Sequence, residues 1–184
     1  MAFFKHAIMI GGTGMLSEMS KWVMQQATYT VIIGRNEHRL RRLQSDYGSV
    51  HVKQLDYKDT HALRQMIQTA IVQHGAIDLV VAWIHSDAPY AISTIIHEIC
   101  HLQRKKWRFF HIKGSSQHLD RKQSLPCLSD DCLYREVHLG FKREGGRSRW
   151  LTHDEISTGV IDAIQNDRKK TVIGMLEPWE QRPI

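Results

Sequence analysis

The sequence predicts an α/β fold: a doubly wound, mainly parallel sheet of about seven strands with helices on both faces. Three observations carry this. Short apolar runs alternate with longer segments of helical periodicity from residue 6 to residue 176. The runs are almost continuously apolar, as strands covered on both faces are. The first run ends in a glycine cluster that leads straight into a helix.

Each element follows from its local pattern. HAIMI (6–10) is a first strand, and MLSEMSKWVMQQ spaces Met15, Leu16, Met19, Trp22 and Val23 along one helical face. Residues 28–34 read as a second strand, and NEHRLRRLQSDYG as a polar helix closed by Gly48. VHVKQLD (50–56) is a third strand. THALRQMIQTAIVQHG places Leu63, Met66, Ile67, Ala70 and Ile71 on a helix stopped by Gly75. IDLVVAWI (77–84) and WRFFHIKG (107–114) are strands four and five, with a helix over 90–105 between them. A polar stretch, 117–132, shows no period. YREVHLGFK (134–142) is a sixth strand, THDEISTGVIDAIQN a helix with Thr152 as N-cap and Glu155 three residues on, and TVIGML (171–176) the last strand.

Composition narrows the function classes. The 184 residues suit one domain, 1–184, and 42% apolar with 24% charged residues excludes a disordered or fibrous chain. A net charge of +6 suits an enzyme with a phosphorylated ligand, or is only scattered solvated Lys and Arg. No nucleic-acid or membrane partner is expected. Cys100, Cys127 and Cys132 lack metal-ligand spacing, which fits a reducing cytosol. The N-terminal run is interrupted by Lys5 and His6 and reads as a strand rather than a signal peptide. No apolar run approaches the ~20 residues of a membrane span. The expectation is a soluble, cytoplasmic protein.

The first strand ends in Gly11-Gly12-Thr13-Gly14-Met15-Leu16-Ser17. Glycines there turn the chain tightly and bring backbone N–H groups against a pyrophosphate at the helix N-terminus. The third small position is Ser17 rather than Gly, a departure from the fingerprint. After the second strand, where an acidic residue would accept from the ribose 2′-hydroxyl of NAD, stands Gly34-Arg35-Asn36. The Arg35 guanidinium can pair with a 2′-phosphate and Gly34 leaves room for it, which favours NADP(H) over NAD(H). The alternative is a solvated arginine opening a basic helix, in which His38 and Arg39 add positive potential. Asp56, at the end of strand three, either accepts from an adenine amino group or only begins a turn.

At these residues the chain resembles the short-chain dehydrogenase/reductase family. GGTGMLS, GRNEHRLRRL, LDYKD, DLVVAWIHS, HIKGSS and RWLTHDEISTGVIDAI fall in family order over nearly the whole length. The resemblance implies a Rossmann-type fold binding NADP(H), with Gly11, Thr13, Gly14 and Leu16 on the phosphates and Gly12 and Met15 completing the loop. It implies Arg35 and Asn36 on the 2′-phosphate, Asp56 and Tyr57 at the adenine, and Ala82 and Trp83 near the ribose. It also implies oxidoreduction of a small carbonyl or alcohol substrate and a homo-oligomer.

Family catalysis uses a Ser after strand five, then a Tyr with a Lys four residues later; Tyr donates the proton and Lys lowers its pKa. Ser115 and Ser116 occupy the serine's place, but the Tyr-x-x-x-Lys pair is absent. Tyr134 precedes His138 by four residues, yet on a strand these side chains would share a face ~13 Å apart, so Tyr134 reads as a strand aromatic. The alternatives are an oxidoreductase with reorganised residues and a non-catalytic NADP-binding sensor or scaffold. The basic segment 142–150, KREGGRSRW, either closes over an anionic ligand or stands as a solvated charged hairpin.

One motif points elsewhere. His97-Glu98-Ile99-Cys100-His101 spells the H-E-x-x-H of zinc hydrolases. A catalytic zinc needs a third ligand and a cleft, and Arg104 and Trp107 occupy the positions of the extended motif's Gly and His. Ile92, Ile95, Ile96 and Ile99 form one helical stripe and the histidines fall on the other side. No metal is expected; His97 and His101 remain a remote candidate pair.

Overall fold

The computed structural model describes residues 3–47, 50–115 and 129–183. Strand β1 (Phe4–Ile10) leads into α1 (Ser17–Gln26), followed by β2 (Ala27–Gly34), α2 (Glu37–Asp46), β3 (Val50–Gln54) and α3 (Thr60–His74). Next come β4 (Leu79–Trp83), α4 (Ala91–Leu102) and β5 (Trp107–Lys113). The chain continues through β6 (Cys132–Leu139), β7 (Phe141–Glu144), β8 (Arg147–Trp150), α5 (His153–Gln165) and β9 (Lys170–Ile173).

Seven strands form one sheet in the order β3-β2-β1-β4-β5-β6-β9, every pair parallel. The expected doubly wound sheet is therefore present. The strand order reverses between β1 and β4, so the carboxyl ends of these strands part into a crevice.

The continuous apolar runs are explained by cover on both faces. Ile8, Val31, Val80 and Phe109 pack with α3 and α4, while Met9, Ile32, Val81 and Phe110 pack with α1, α2 and α5. Burying one such side chain is worth roughly 1.5–3 kcal/mol, so alternate positions on a strand anchor opposite helical layers. Ile95, Ile96 and Ile99 are buried and Ile92 is half-buried, so the isoleucine stripe faces inward as read.

Caps set the helix boundaries. Asn36 Oδ1 accepts from Arg39 N at 3.0 Å, and Asp59 Oδ1 accepts from His61 N and Ala62 N. Thr152 and Glu155 form the expected capping box. Helix α4 stops at Leu102 rather than 105 because the Gln103 amide is drawn into the core. There its Oε1 accepts from Ile77 N (2.8 Å) and its Nε2 donates to Ile77 O (3.0 Å). Gly48, expected to close α2, lies outside the described residues; α2 ends with Tyr47 N donating to Leu43 O.

The expected strand 134–142 is two strands. β6 ends at Leu139, Gly140 makes the bend, and Phe141 starts an antiparallel hairpin of β7 and β8. Its two-residue turn is Gly145-Gly146, both at positive φ (56° and 78°), as the tight twist of such a turn requires. Two cations of 142–150, Lys142 and Arg149, pair with carboxylates. Arg149 bonds both oxygens of Glu144 and of Glu155, and Lys142 Nζ donates to Glu155 at 2.6 Å. These bonds and the Thr152 N–H hold the Glu155 carboxyl well below its ordinary range. The segment is a charged hairpin. No described helix is long and apolar enough to cross a membrane.

Candidate functional site

The crevice at the switch point has a volume of about 250 Å³ and opens on the glycine loop. Gly11 has a φ of +78°, and a Cβ on it would stand 2.6 Å from the Trp83 carbonyl oxygen. Strand β1 therefore turns against the end of β4 only because this residue has no side chain. Thr13, Gly14 and Met15 line the crevice floor. Helix α1 begins there without a side-chain cap among the described residues, whereas side chains cap α2, α3 and α5. Its first-turn N–H groups thus form a donor set suited to an anion.

Gly12 and Leu16 serve the loop from beneath. The Gly12 carbonyl accepts from Ser20 Oγ (2.9 Å), and the Leu16 side chain is fully buried, leaving only its backbone to face a ligand. Ser157 on α5 ties the loop to the next layer, its Oγ donating to Met15 O at 3.1 Å.

Arg35, Asn36 and Gly34 line the wall formed by the end of β2. Arg35 lies over the Tyr57 ring, 5.9 Å from its centroid. Arg39, one turn into α2, reaches back so that its Nη1 is 3.6 Å from the Cβ position of Gly14. Among the described residues no carboxylate pairs with either guanidinium, and no acidic side chain lines the crevice. Two unpaired guanidiniums beside an uncapped helix start make this a cationic cleft.

Other expected residues fall nearby with different roles. Tyr57 and Trp83 line the crevice; Ala82 is fully buried behind them. Asp56 points its Oδ1 at Lys58 N (3.0 Å) and opens a turn, outside the crevice lining. Asn36 lines the crevice while its Oδ1 caps α2. Ser115 is half-buried just beyond β5; Ser116 lies outside the described residues. Two crevice residues had little or no prior signal. Arg39 read only as added positive potential, and His85, edge-on to Trp83 at 5.3 Å, lies beyond the end of β4.

The H-E-x-x-H segment does not build a metal centre. His97 and His101 are exposed with parallel rings 6.4 Å apart. Glu98 is buried on the opposite side, accepting from Gln68 Nε2 of α3 at 2.7 Å. The would-be general base is thus part of the α3–α4 contact, turned away from the histidines. Among the described residues no group of three His, Cys, Asp or Glu is placed to hold a metal.

The β5 and β6 ends carry a second polar group. Lys113 Nζ donates to Glu136 Oε1 at 2.6 Å, and His138 Nε2 meets Glu136 Oε2 at 3.1 Å. Beneath them the Tyr134 hydroxyl shares a 2.6 Å hydrogen bond with His111 Nδ1. The His138 bond, with Lys113, outweighs burial and holds the Glu136 carboxyl at about 2. Burial, with the Lys113 charge, pushes His111 down to about 3. Burial also raises the Tyr134 phenol, which is a packed strand aromatic stacked on Phe109 at 5.6 Å.

A pH dependence follows. The Glu136 carboxyl is depressed on folding, so its contribution is present above the unfolded value of ~4.3 and lost as pH falls through about 2. Glu136→Gln is expected to cost on the order of 2 kcal/mol at neutral pH, allowing for partial exposure, and the gap from wild type should close between those pH values. Urea unfolding followed across pH checks it; a gap that is the same at acid and neutral pH would contradict it.

No family model matches the chain, and no curated relative matches it. Solved structures do. A beta-ketoacyl-[ACP] reductase from Bacteroides thetaiotaomicron superposes with a TM-score of 0.66 at 14% identity, covering 93% of this chain and 97% of that one. An apo SCOR enzyme from Clostridium thermocellum gives 0.66 at 15% identity over 98% and 95%. A metagenomic short-chain oxidoreductase solved in complex with NADP gives 0.64 at 12% identity over 92% and 96%. The chain therefore has the fold of the short-chain dehydrogenases/reductases.

Proposed function

We propose that the chain is an NADP(H)-binding oxidoreductase, one nucleotide-binding domain acting on a small carbonyl or alcohol substrate with reorganised catalytic residues. The observation that carries it is the convergence of Arg35 and Arg39 on the glycine loop in a crevice with no acidic lining among the described residues. NADP(H) has charges to match: a pyrophosphate for the α1 N-terminus and a 2′-phosphate for the guanidiniums. In this reading Gly11, Thr13, Gly14 and Met15, with the backbone of Gly12 and Leu16, surround the phosphates. Arg35 and Asn36 take the 2′-phosphate, Tyr57 flanks the adenine, and Trp83, backed by Ala82, borders the ribose. Ser115 stands on the substrate side, and the exposed outer face of α4 offers a contact between copies. A neighbour of the same fold was solved with NADP, which supports the cofactor class.

The absence of the Tyr-x-x-x-Lys pair favours a second reading, a non-catalytic NADP-binding module. Both readings predict nucleotide binding. Oxidation of NADPH by purified protein that depends on an added aldehyde or ketone selects the enzyme; binding without such oxidation selects the module.

A further inference from the structure

The Lys113–Glu136–His138 group has no part in the crevice, and its position calls for a function. Lys113 and His138 are register partners at the carboxyl ends of β5 and β6. They are only 7% and 6% exposed, on the sheet face that packs α3 and α4. On that face β1, β2 and β4 carry Ile8, Val31 and Val80, with His6 buried lower on β1, while β5 and β6 carry His111 and Tyr134 beneath the trio. Removing an ion from water costs several kcal/mol, and an apolar replacement of a buried ion pair often folds as well or better. Folding alone gives no reason for this trio.

The second observation is on the imidazole. Glu136 fixes one nitrogen, Nε2, while the other, Nδ1, is buried without a hydrogen-bond partner among the described residues. A buried unsatisfied nitrogen is costly and is a feature of reactive sites. Beside a carboxylate that only accepts, Nε2 keeps its proton, and Nδ1 is the atom that gains or loses one. A dinucleotide lies across the switch point. With its adenosine half held by Arg35 and its phosphates by the start of α1, its nicotinamide half would lie along the carboxyl ends of the strands, from β4 toward β5 and β6. Trp83 pairs in register with Ile112 on the α1/α5 face, where a Cβ on Gly114 would lie 3.4 Å from the Trp83 ring; Lys113, between Ile112 and Gly114, projects to the other face at the same carboxyl end of the sheet.

We propose that His138 is the proton donor and acceptor of the reaction, in place of the missing tyrosine, with Glu136 and Lys113 as positioning residues. This rests on the NADP(H)-oxidoreductase reading. The nicotinamide, when bound, supplies a hydride with its electron pair to the carbonyl carbon. The C=O π pair moves to oxygen, which takes the proton from Nδ1 of the His138 imidazolium. The imidazole is left neutral and regains its proton from solvent; alcohol oxidation runs the same steps backwards. Glu136 Oε2 holds the ring, and Lys113 occupies Oε1, keeping the carboxylate ionised and oriented. The other groups on this face are His111 and Tyr134, hydrogen-bonded to each other, and β9 sets Val172 opposite His138.

Two measurements on the full chain test this. The first uses nucleotide-free protein labelled with 15N-histidine, with the His138 signal identified by its loss in His138→Gln. Neutral His138 should carry its proton on Nε2 and lose that preference in Glu136→Gln; a neutral Nδ1–H tautomer in wild type overturns the proposal. The second follows NADPH oxidation with 9,10-phenanthrenequinone as the carbonyl probe. His138→Gln should lower kcat at least ~100-fold, the scale of general acid catalysis, with NADPH affinity unchanged. The ionisation limb of the pH profile should vanish with it, and Glu136→Asp, the milder change, should shift that limb. Turnover retained in His138→Gln, or no probe reduction by wild type that binds NADPH, overturns the proposal. Failure of wild type to bind NADPH defeats the underlying reading instead, and the proposal with it.

Discussion

Arg35→Ala is expected to weaken NADPH binding by roughly 10- to 100-fold and to leave NADH binding nearly unchanged. The size follows from hydrogen bonds to a charged group, worth about 1.5–3 kcal/mol, with about 1.4 kcal/mol per tenfold in affinity. The selectivity follows from chemistry, since the two nucleotides differ only in the 2′-phosphate. Arg35 is well placed for that group because Gly34 beside it has no side chain and no carboxylate lines the crevice among the described residues. Arg39 provides the internal comparison. Its guanidinium reaches the glycine loop near Gly14, so Arg39→Ala should weaken both nucleotides if it serves the pyrophosphate, and NADPH alone if it shares the 2′-phosphate. Calorimetric titration of both nucleotides into the two variants measures this. Equal loss for NADPH and NADH in Arg35→Ala would remove Arg35 from the 2′-phosphate site.

Gly140→Ala is expected to destabilise the fold by about 3 kcal/mol or more. A Cβ there would lie 2.0 Å from the Met175 carbonyl oxygen and 2.6 Å from its carbonyl carbon. Neither is the free end of a flexible side chain, so backbone has to move. Overpacking in a rigid site commonly costs 1–3 kcal/mol, and a backbone clash lies at the upper end of that range or above it. The contact at risk holds the chain together beyond β6: Phe141 N donates to Met175 O (2.9 Å) and Met175 N to Phe141 O (2.8 Å). Losing it loosens the hairpin and the segment after β9 together. Since 1 kcal/mol moves Tm by roughly 2–4 °C at this chain length, a fall of about 6–12 °C is expected by calorimetry. A wild-type Tm in Gly140→Ala would show that the crossing at Met175 is not tight.

How much was legible depends on the range of the interactions. The alternation of strands and helices was legible because burial on both sheet faces writes a continuous apolar run into each strand. The glycine loop and Arg35 were legible because their task is local: a turn after β1 and a cation after β2, both at fixed distances along the chain. The Thr152 capping box spans three residues and was found for the same reason. Gly140 was hidden because its constraint is Met175, a neighbour only after β9 has joined the sheet. Within YREVHLGFK the one local mark is Gly140, which inside a strand pattern reads as a bulge as readily as an end. The Gly145-Gly146 turn did carry a signal for the hairpin, while the pairing of its cations with Glu144 and Glu155 needed the folded geometry.

The Lys113–Glu136–His138 group shows the limit most clearly. Its members are 23 and 25 residues apart from Lys113, and only the β5–β6 register brings them together. A slip of one residue would send either set of side chains to the other face, so sequence spacing alone could not assemble them. The H-E-x-x-H motif is the converse case. Its spacing was plain, but the direction of Glu98 was decided by Gln68 on another helix.

The central claim is that the crevice at the glycine loop binds NADP(H). The most direct measurement is the melting temperature of the wild-type chain titrated with NADPH, with NADH in parallel. At a hundredfold excess over Kd a ligand that binds only the folded state adds about 2.7 kcal/mol, which at this length raises Tm by roughly 5–10 °C. The account predicts a saturable rise with NADPH and a rise with NADH only at higher concentration. An unchanged melting temperature at millimolar concentrations of both nucleotides would contradict it.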